Sequence, residues 1–152
     1  MERVKIRPAE WKDCEIIWKW RNDKTTRRYS FNTEFIPYEK HKAWFENVLR
    51  DENRKILMVE EEGNTVGVIR LDINPKNRIA EINISIARPK RGKGLGLLGT
   101  RQACKYAFKH LNIKKIIAKI KKENIPSLKM FSRAGFDLVE ENKTVIMRLI
   151  SG

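Results

Sequence analysis

Apolar and polar positions alternate in short blocks along this chain, and the period changes several times. In "RVKIR" (3–7) Val4 and Ile6 alternate with charged neighbours, which predicts a short strand. Trp11, Cys14, Ile17, Trp18 and Trp20 then recur at helical spacing in "EWKDCEIIWKWRND". A second helical stripe, with Trp44, Phe45, Val48 and Leu49 expected to face inward, runs through "IPYEKHKAWFENVLRD", with Pro37 near its start. The period returns to two in "RKILMVEEEGNTVGVIRLDI", read as two strands about a turn at Gly63-Asn64. After "NPKN", "RIAEINISIA" makes the third strand of this meander. "LGLLGTRQACKYAFKHL" is an amphipathic helix, "KKIIAKI" a strand, and "PSLKMFSRAG" a short helix ended by Gly135. "FDLVEENKTVIMRLI" supplies two closing strands. A meander followed by β-α-β-α-β-β is an α+β order, not a regular doubly wound sheet. No repeat or low-complexity linker interrupts the 152 residues, so one domain over 1–152 is expected.

Composition narrows the setting. Hydrophobic residues make up 41% of the chain, enough for a core, and no apolar run approaches the length of a membrane span. The N-terminus carries no signal-like apolar core. Two distant cysteines, Cys14 and Cys104, fit reduced thiols and a cytoplasmic location. No Cys/His cluster has metal-ligand spacing, so no metal is expected. The net charge of +14 is unevenly spread: Arg88 to Lys122 holds twelve basic residues and no acidic one, while the remainder is nearly balanced at +2. Such a focused field favours an anionic ligand. A solvated Lys-rich face is the plainer explanation for a charge run.

The centre of that field is "RPKRGKGLG" (88–96), which admits three readings. A Walker loop needs Ser or Thr after its Lys, but Gly94 follows Lys93. Gly94, Gly96 and Gly99 match a dinucleotide fingerprint letter for letter. That fingerprint also needs an acidic residue about twenty positions on, and the first one after Gly94 is Glu123. The third reading is R-x-x-G-x-G: Arg91, Gly92, Lys93, Gly94, Leu95 and Gly96. Its glycines let backbone N–H groups turn toward a pyrophosphate at a helix N-terminus. The preceding strand alternates Glu81, Asn83 and Ser85 with Ile82, Ile84 and Ile86, so one polar face should line a cleft.

The loop, that strand, the later "ENIPSLKMFSRAGF" and the strand order together resemble the GNAT superfamily of N-acetyltransferases over nearly the whole chain. The resemblance implies a mixed, mostly antiparallel twisted sheet flanked by helices, and direct acetyl transfer from acetyl-CoA to an amine without a metal. It places the cofactor on Ile84 and Ile86, on Arg91 to Gly96, and on Asn124 and Phe131. An ammonium has no lone pair, so a base must first take a proton, and Glu81 is the candidate; a strand Glu paired with Lys or Arg is the alternative. The family often has Tyr where Phe131 stands, and Phe cannot protonate the leaving thiolate. Ser127 or water is expected to do so.

The acceptor is expected among the N-terminal helices. "WRND…R…SFN…H…WF" resembles acetyltransferases acting on nucleotide-linked 4-amino-sugars in the pathways to pseudaminic and related nonulosonic acids. On that reading Arg21, Asn22, Asn32, His41 and Arg70 contact a diphosphate or sugar, and Phe31 or Trp44 stacks on a ring. The tryptophans at helical spacing also fit core positions. The acidic residues near the N-terminal helices are interleaved with Lys and Arg, which favours a nucleotide sugar over a polyamine. A protein N-terminal or ribosomal-protein acetyltransferase is the nearest alternative. A basic nucleic-acid-binding module is the non-enzyme alternative, but no recognition pattern for nucleic acid is visible. No membrane partner is expected, and a homodimer is compatible with the family resemblance.

Overall fold

A computed structural model describes residues 3–152. Seven strands form one sheet: β1 (Val4–Pro8), β2 (Arg54–Glu61), β3 (Asn64–Asn74), β4 (Ile79–Ile86), β5 (Lys115–Lys121), β6 (Asp137–Glu141) and β7 (Thr144–Ile150). Their spatial order is β1-β2-β3-β4-β5-β7-β6. Every neighbouring pair is antiparallel except β4 and β5. The helices are α1 (Cys14–Arg21), α2 (Lys24–Tyr29), α3 (Tyr38–Arg50), α4 (Leu95–His110) and α5 (Ile125–Arg133). This is the α+β arrangement expected from the pattern of periods.

Strand alternation divides the core in two. On one face Leu57, Val59, Ile69, Leu71, Ala80, Ile82, Ile116 and Ala118 join Leu95, Ala103 and Ala107 of α4 and Phe131 of α5 in the larger cluster. On the other face Ile56 and Met58 meet Cys14 and Ile17 of α1 and Phe45 and Val48 of α3. Gly99 explains how close α4 comes to the sheet: a Cβ there would stand 3.3 Å from a Val59 methyl. The β2–β3 turn has Glu62 at φ 50° and Gly63 at φ 85°, left-handed at both central positions, as a tight hairpin turn requires.

Several N-terminal expectations change. The first helix starts as a 3-10 turn (Trp11–Asp13) before α1. Asp13 is buried, and Arg7 answers it with two bonds of 2.8 Å while also reaching Glu60 at 3.1 Å. Burial opposes the charge of Asp13, but the Arg7 bonds and the Glu10 N–H hold its pKa below the ordinary value. Leu49 faces outward rather than inward, and Trp11 is exposed. None of the four tryptophans is buried. Trp20 and Trp44 pack against the smaller cluster, Trp11 lies beside its Phe45, and Trp18 donates its indole N–H to the Ile36 carbonyl at 2.7 Å.

Candidate active site

The one parallel pair of the sheet is also its shortest ladder. β4 and β5 are paired only at Ile79–Lys115, Ala80–Ile116 and Glu81–Ile117. Both strands run on, β4 to Ile86 and β5 to Lys121, but apart. The β5-facing edge of residues 82–86 is therefore left without a strand partner, while β3 pairs the opposite edge throughout. An extended ligand rich in amides can pair with such an edge as an added strand would. Ile84 and Ile86 lie on this stretch, packed against the larger core.

At the end of β4 the chain makes a 3-10 turn (Arg88–Lys90) and the glycine loop, then enters α4. Gly92 and Gly94 have φ of 77° and 80°, and Gly94 is the N-cap of α4. No side chain caps the helix, so its first N–H groups and the positive end of its dipole are left for an anion. A Cβ added at Gly92 or Gly94 would meet nothing within 4 Å, so the glycines serve backbone conformation and leave the cradle open. Gly96 lies against Ile86 and Met130. The chain thus provides a concave nest of amides with the features a pyrophosphate needs. Lys93 is exposed beside it. Leu95 contributes only its amide to this side, because its side chain is buried in the core.

Arg91 departs from the expected posture. Its Nε donates to the Ile86 carbonyl at 2.9 Å, and its Nη2 donates to Asp23 Oδ2 at 3.1 Å and Thr26 Oγ1 at 3.0 Å. Its guanidinium turns toward α2. Asn124 caps α5, accepting from the Ser127 N–H at 3.3 Å, and Ser127 is half-buried. Phe131 is 3% exposed and packs edge-on against Phe136 in the larger core cluster.

Glu81 sits where the strands part. Its Oε1 is 3.1 Å from Lys119 Nζ on β5, and the carboxylate is about one-third exposed. The antiparallel register puts Asp72 directly opposite on β3, where Arg70 Nε donates to Asp72 Oδ2 at 3.1 Å. Both carboxylates on this face thus carry a cationic partner. Lys119 and Asp72 were not singled out in the sequence. The former's place in the period-two pattern of "KKIIAKI", parallel to that of Glu81, was the available signal.

Near this face lies a pocket lined by Arg21, Asn32, Glu34, Phe35, Lys40 and Trp44. The Arg21 guanidinium stacks on the Trp44 indole at 4.2 Å, and Arg70 lies 5.9 Å from the same ring. Arg21 has no carboxylate partner among the described residues. Burial and the charge of Arg70 lower its pKa to about 10. Arg21, Asn32, Trp44 and Arg70 are thus brought together, with Lys40 as an addition. Lys40 and Trp44 are one turn apart on α3, a spacing visible in the sequence.

Three proposed contacts are displaced. His41 is fully buried, stacked on Phe45. Its Nε2 bonds the Cys14 carbonyl and its Nδ1 meets Arg21 Nη1, each at 2.9 Å, so both ring nitrogens are occupied. Asn22 spends its amide on the Ile36 backbone, donating at 2.9 Å and accepting at 2.8 Å. Phe31 is exposed and lies outside the pocket lining. Among the described residues no group of three or more His, Cys, Asp or Glu side chains is placed to hold a metal, and no helix is long and apolar enough to cross a membrane.

An uncapped helix behind a glycine nest, beside a strand edge awaiting a partner, defines an acyl-transferase site for a pyrophosphate-bearing thioester. The chain belongs to the GNAT acetyltransferase family, whose domain matches residues 3–137. It is an N-acetyltransferase that uses acetyl-CoA. Spermidine N(1)-acetyltransferase of Escherichia coli K12 is 28% identical over 139 residues, 91% of this chain and 75% of that protein. Acetyltransferase PseH of Campylobacter jejuni is 28% identical over 131 residues, 86% and 81% of the two chains. The crystal structure of spermidine N-acetyltransferase from Vibrio cholerae, in complex with CoA and spermine, shares the fold with a TM-score of 0.85 at 23% identity, covering 96% of this chain and 93% of that one.

Proposed function

We infer that this chain acts as one catalytic unit that transfers the acetyl group of acetyl-CoA to the primary amine of a nucleotide-linked 4-amino-sugar. A spermidine acetyltransferase and PseH stand at the same 28% identity, so the choice of acceptor rests on the chemistry of the cleft. The observation that carries it is the Arg21–Trp44–Arg70 cluster: two guanidiniums on one indole, the first half-buried without a carboxylate. A cation partly withdrawn from water and lacking a counter-ion favours an anionic ligand, and the diphosphate of an acceptor supplies one. Asp72 and Glu81 are matched by Arg70 and Lys119, which leaves Glu34 as the pocket's unpaired acid among the described residues, set against the cations Arg21 and Lys40.

The residues divide the work as follows. Amides of the Gly92–Gly96 nest and Lys93 hold the pyrophosphate, and the free edge at Ile84 and Ile86 pairs with the amide-bearing arm. Acetyl-CoA supplies the activated thioester carbonyl. Glu81 takes the proton of the acceptor ammonium, directly or through water, using the oxygen that Lys119 does not hold. Its removal is expected to slow turnover about 100-fold or more. Ser127 or water returns a proton to the thiolate, a tolerable leaving group because a free thiol has a pKa of about 8.5.

The test is release of CoA thiol from acetyl-CoA with three acceptors in parallel: a UDP-4-amino-4,6-dideoxy sugar, spermidine, and a peptide with a free N-terminus. Turnover with the sugar nucleotide, reduced by Glu81→Gln without loss of acetyl-CoA affinity, is the expected result. Turnover confined to spermidine or the peptide overturns the acceptor assignment.

A further inference from the structure

Helix α2 is held in an unusual way. It has six residues, of which Thr26, Arg27 and Tyr29 are half-buried and none fully buried, so length and packing hold it only weakly. Asp23 caps its start, accepting from the Thr26 N–H at 3.1 Å. Arg91, 68 positions further along the chain, binds the same carboxylate and the Thr26 hydroxyl while its Nε grips the end of β4. At the other end of α2, Lys121 Nζ donates to the Arg28 carbonyl at 3.1 Å. Arg91 follows β4 and Lys121 ends β5. These two strands part beyond Glu81 and Ile117. Helix α2 therefore crosses the mouth of the opening, tied to one lip at its start and to the other at its end. It also joins the two stretches that line the pocket beside Trp44, Arg21 before it and Asn32 to Pro37 after it.

The posture of Arg91 bears on its role. Nε and Nη2 are engaged by three acceptors, and all three lie in the end of β4 or in α2 rather than in the glycine nest. Hydrogen bonds to a charged group are among the stronger ones in a folded chain. A short helix with no buried side chain depends on them. The nest meanwhile has its own donors in the amides behind Gly92 and Gly94 and in the uncapped start of α4.

We propose that Arg91 is a positioning residue for the acceptor side of the site: with Asp23 and Lys121 it straps α2 across the mouth of the β4–β5 opening. The cofactor's pyrophosphate is held by the nest without it. The assignment uses acetyl-CoA as cofactor and is independent of which amine is acetylated.

The experiment uses the full chain and the variants Arg91→Gln, Asp23→Ser and Lys121→Met. Serine caps a helix about as well as aspartate but cannot pair with a guanidinium, so Asp23→Ser separates strap from cap. Three quantities are read: CoA affinity by calorimetry, melting temperature, and the rate of trypsin cleavage after Lys24, Arg27 and Arg28 by mass spectrometry. Arg91→Gln and Asp23→Ser are each expected to speed cleavage within α2 about tenfold, because cleavage follows the open population. Their combination should add little, as for two ends of one contact. CoA affinity should stay within about twofold of the parent chain, since the nest carries the pyrophosphate. Lys121→Met should favour cleavage after Arg28. A loss of CoA affinity of about tenfold in Arg91→Gln, with α2 still protected, would make Arg91 a cofactor ligand and overturn the strap. So would an Asp23→Ser chain as resistant as the parent, or an Arg91→Gln chain whose melting temperature collapses while Asp23→Ser leaves α2 protected.

Discussion

His41 shows how one side chain can be misjudged from its type. A histidine beside aromatic residues invites a ligand role, yet both nitrogens are consumed internally and the ring is shut away. The bonds fix its tautomer. The Cys14 carbonyl can only accept, so Nε2 carries the proton; Arg21 can only donate, so Nδ1 is bare. Burial, assisted by the charge of Arg21 and opposed by the carbonyl bond, lowers its pKa to about 4 from 6.5. The neutral ring is the folded form, so its stabilising effect is complete above pH 6.5 and is lost as pH falls toward 4. Between pH 8 and pH 5 the loss should be about 2 kcal/mol. Urea unfolding at the two pH values measures it, and a His41→Gln chain should lack that increment. An unchanged difference in the variant would place the proton elsewhere. Glu81 and the glycines were legible as candidates from residue type and spacing, Arg21 and Trp44 only through the resemblance of the N-terminal pattern. The pairings of Arg91 with Asp23 and of Glu81 with Lys119 were not, since each partner comes from a distant strand or helix.

Among the elements, those with a clear period emerged where the sequence placed them. Helix α2 did not, because "KTTRRY" has no apolar stripe; its signal is local, an Asp three positions before Thr26. The early 3-10 turn escaped for a similar reason, being built by the Arg7–Asp13 pair rather than by periodicity. Gly67 on β3 was equally silent. It pairs with Ile86 at the far end of the opening. A Cβ there would stand 2.6 Å from the Ile86 Cδ1 and 2.8 Å from the Ser85 carbonyl oxygen. Ile86 can turn aside, but the carbonyl belongs to β4, whose free edge is proposed to take the cofactor arm. Gly67→Ala should therefore cost about 1–3 kcal/mol of stability and weaken CoA binding, whereas a remote overpacking change would affect only the first. Thermal melting and calorimetry together separate the two outcomes.

For the molecule as a whole, charge is the property most plainly written in the sequence. Twelve basic residues without an acid between Arg88 and Lys122 surround the cofactor loop and supply β5 with Lys119 and Lys121. The N-terminal helices add Arg21 and Lys40 to a pocket that Glu34 also lines. A field of this sign draws anions over a distance that salt shortens, from about 30 Å at 0.01 M to about 8 Å at physiological strength. For an anionic acceptor, KM should thus rise severalfold between low and high salt, with kcat much less affected. A cationic acceptor would show a flat or falling KM, and steady-state kinetics in a salt series tells them apart. What composition could not reveal is where the counter-charges lie: Asp72 and Glu81 are paired with Arg70 and Lys119, while Glu34 in the pocket lining has no ion pair among the described residues.

The three-residue seam between β4 and β5 has a mechanical consequence. On either side of it the sheet is continuously paired, β1 to β4 as one panel and β5, β7 and β6 as another. A ligand arm laid along residues 82–86 would act as a splint, lengthening a joint that the chain itself leaves short. Stiffness between the panels would then be borrowed from the cosubstrate and given back at each turnover when CoA departs.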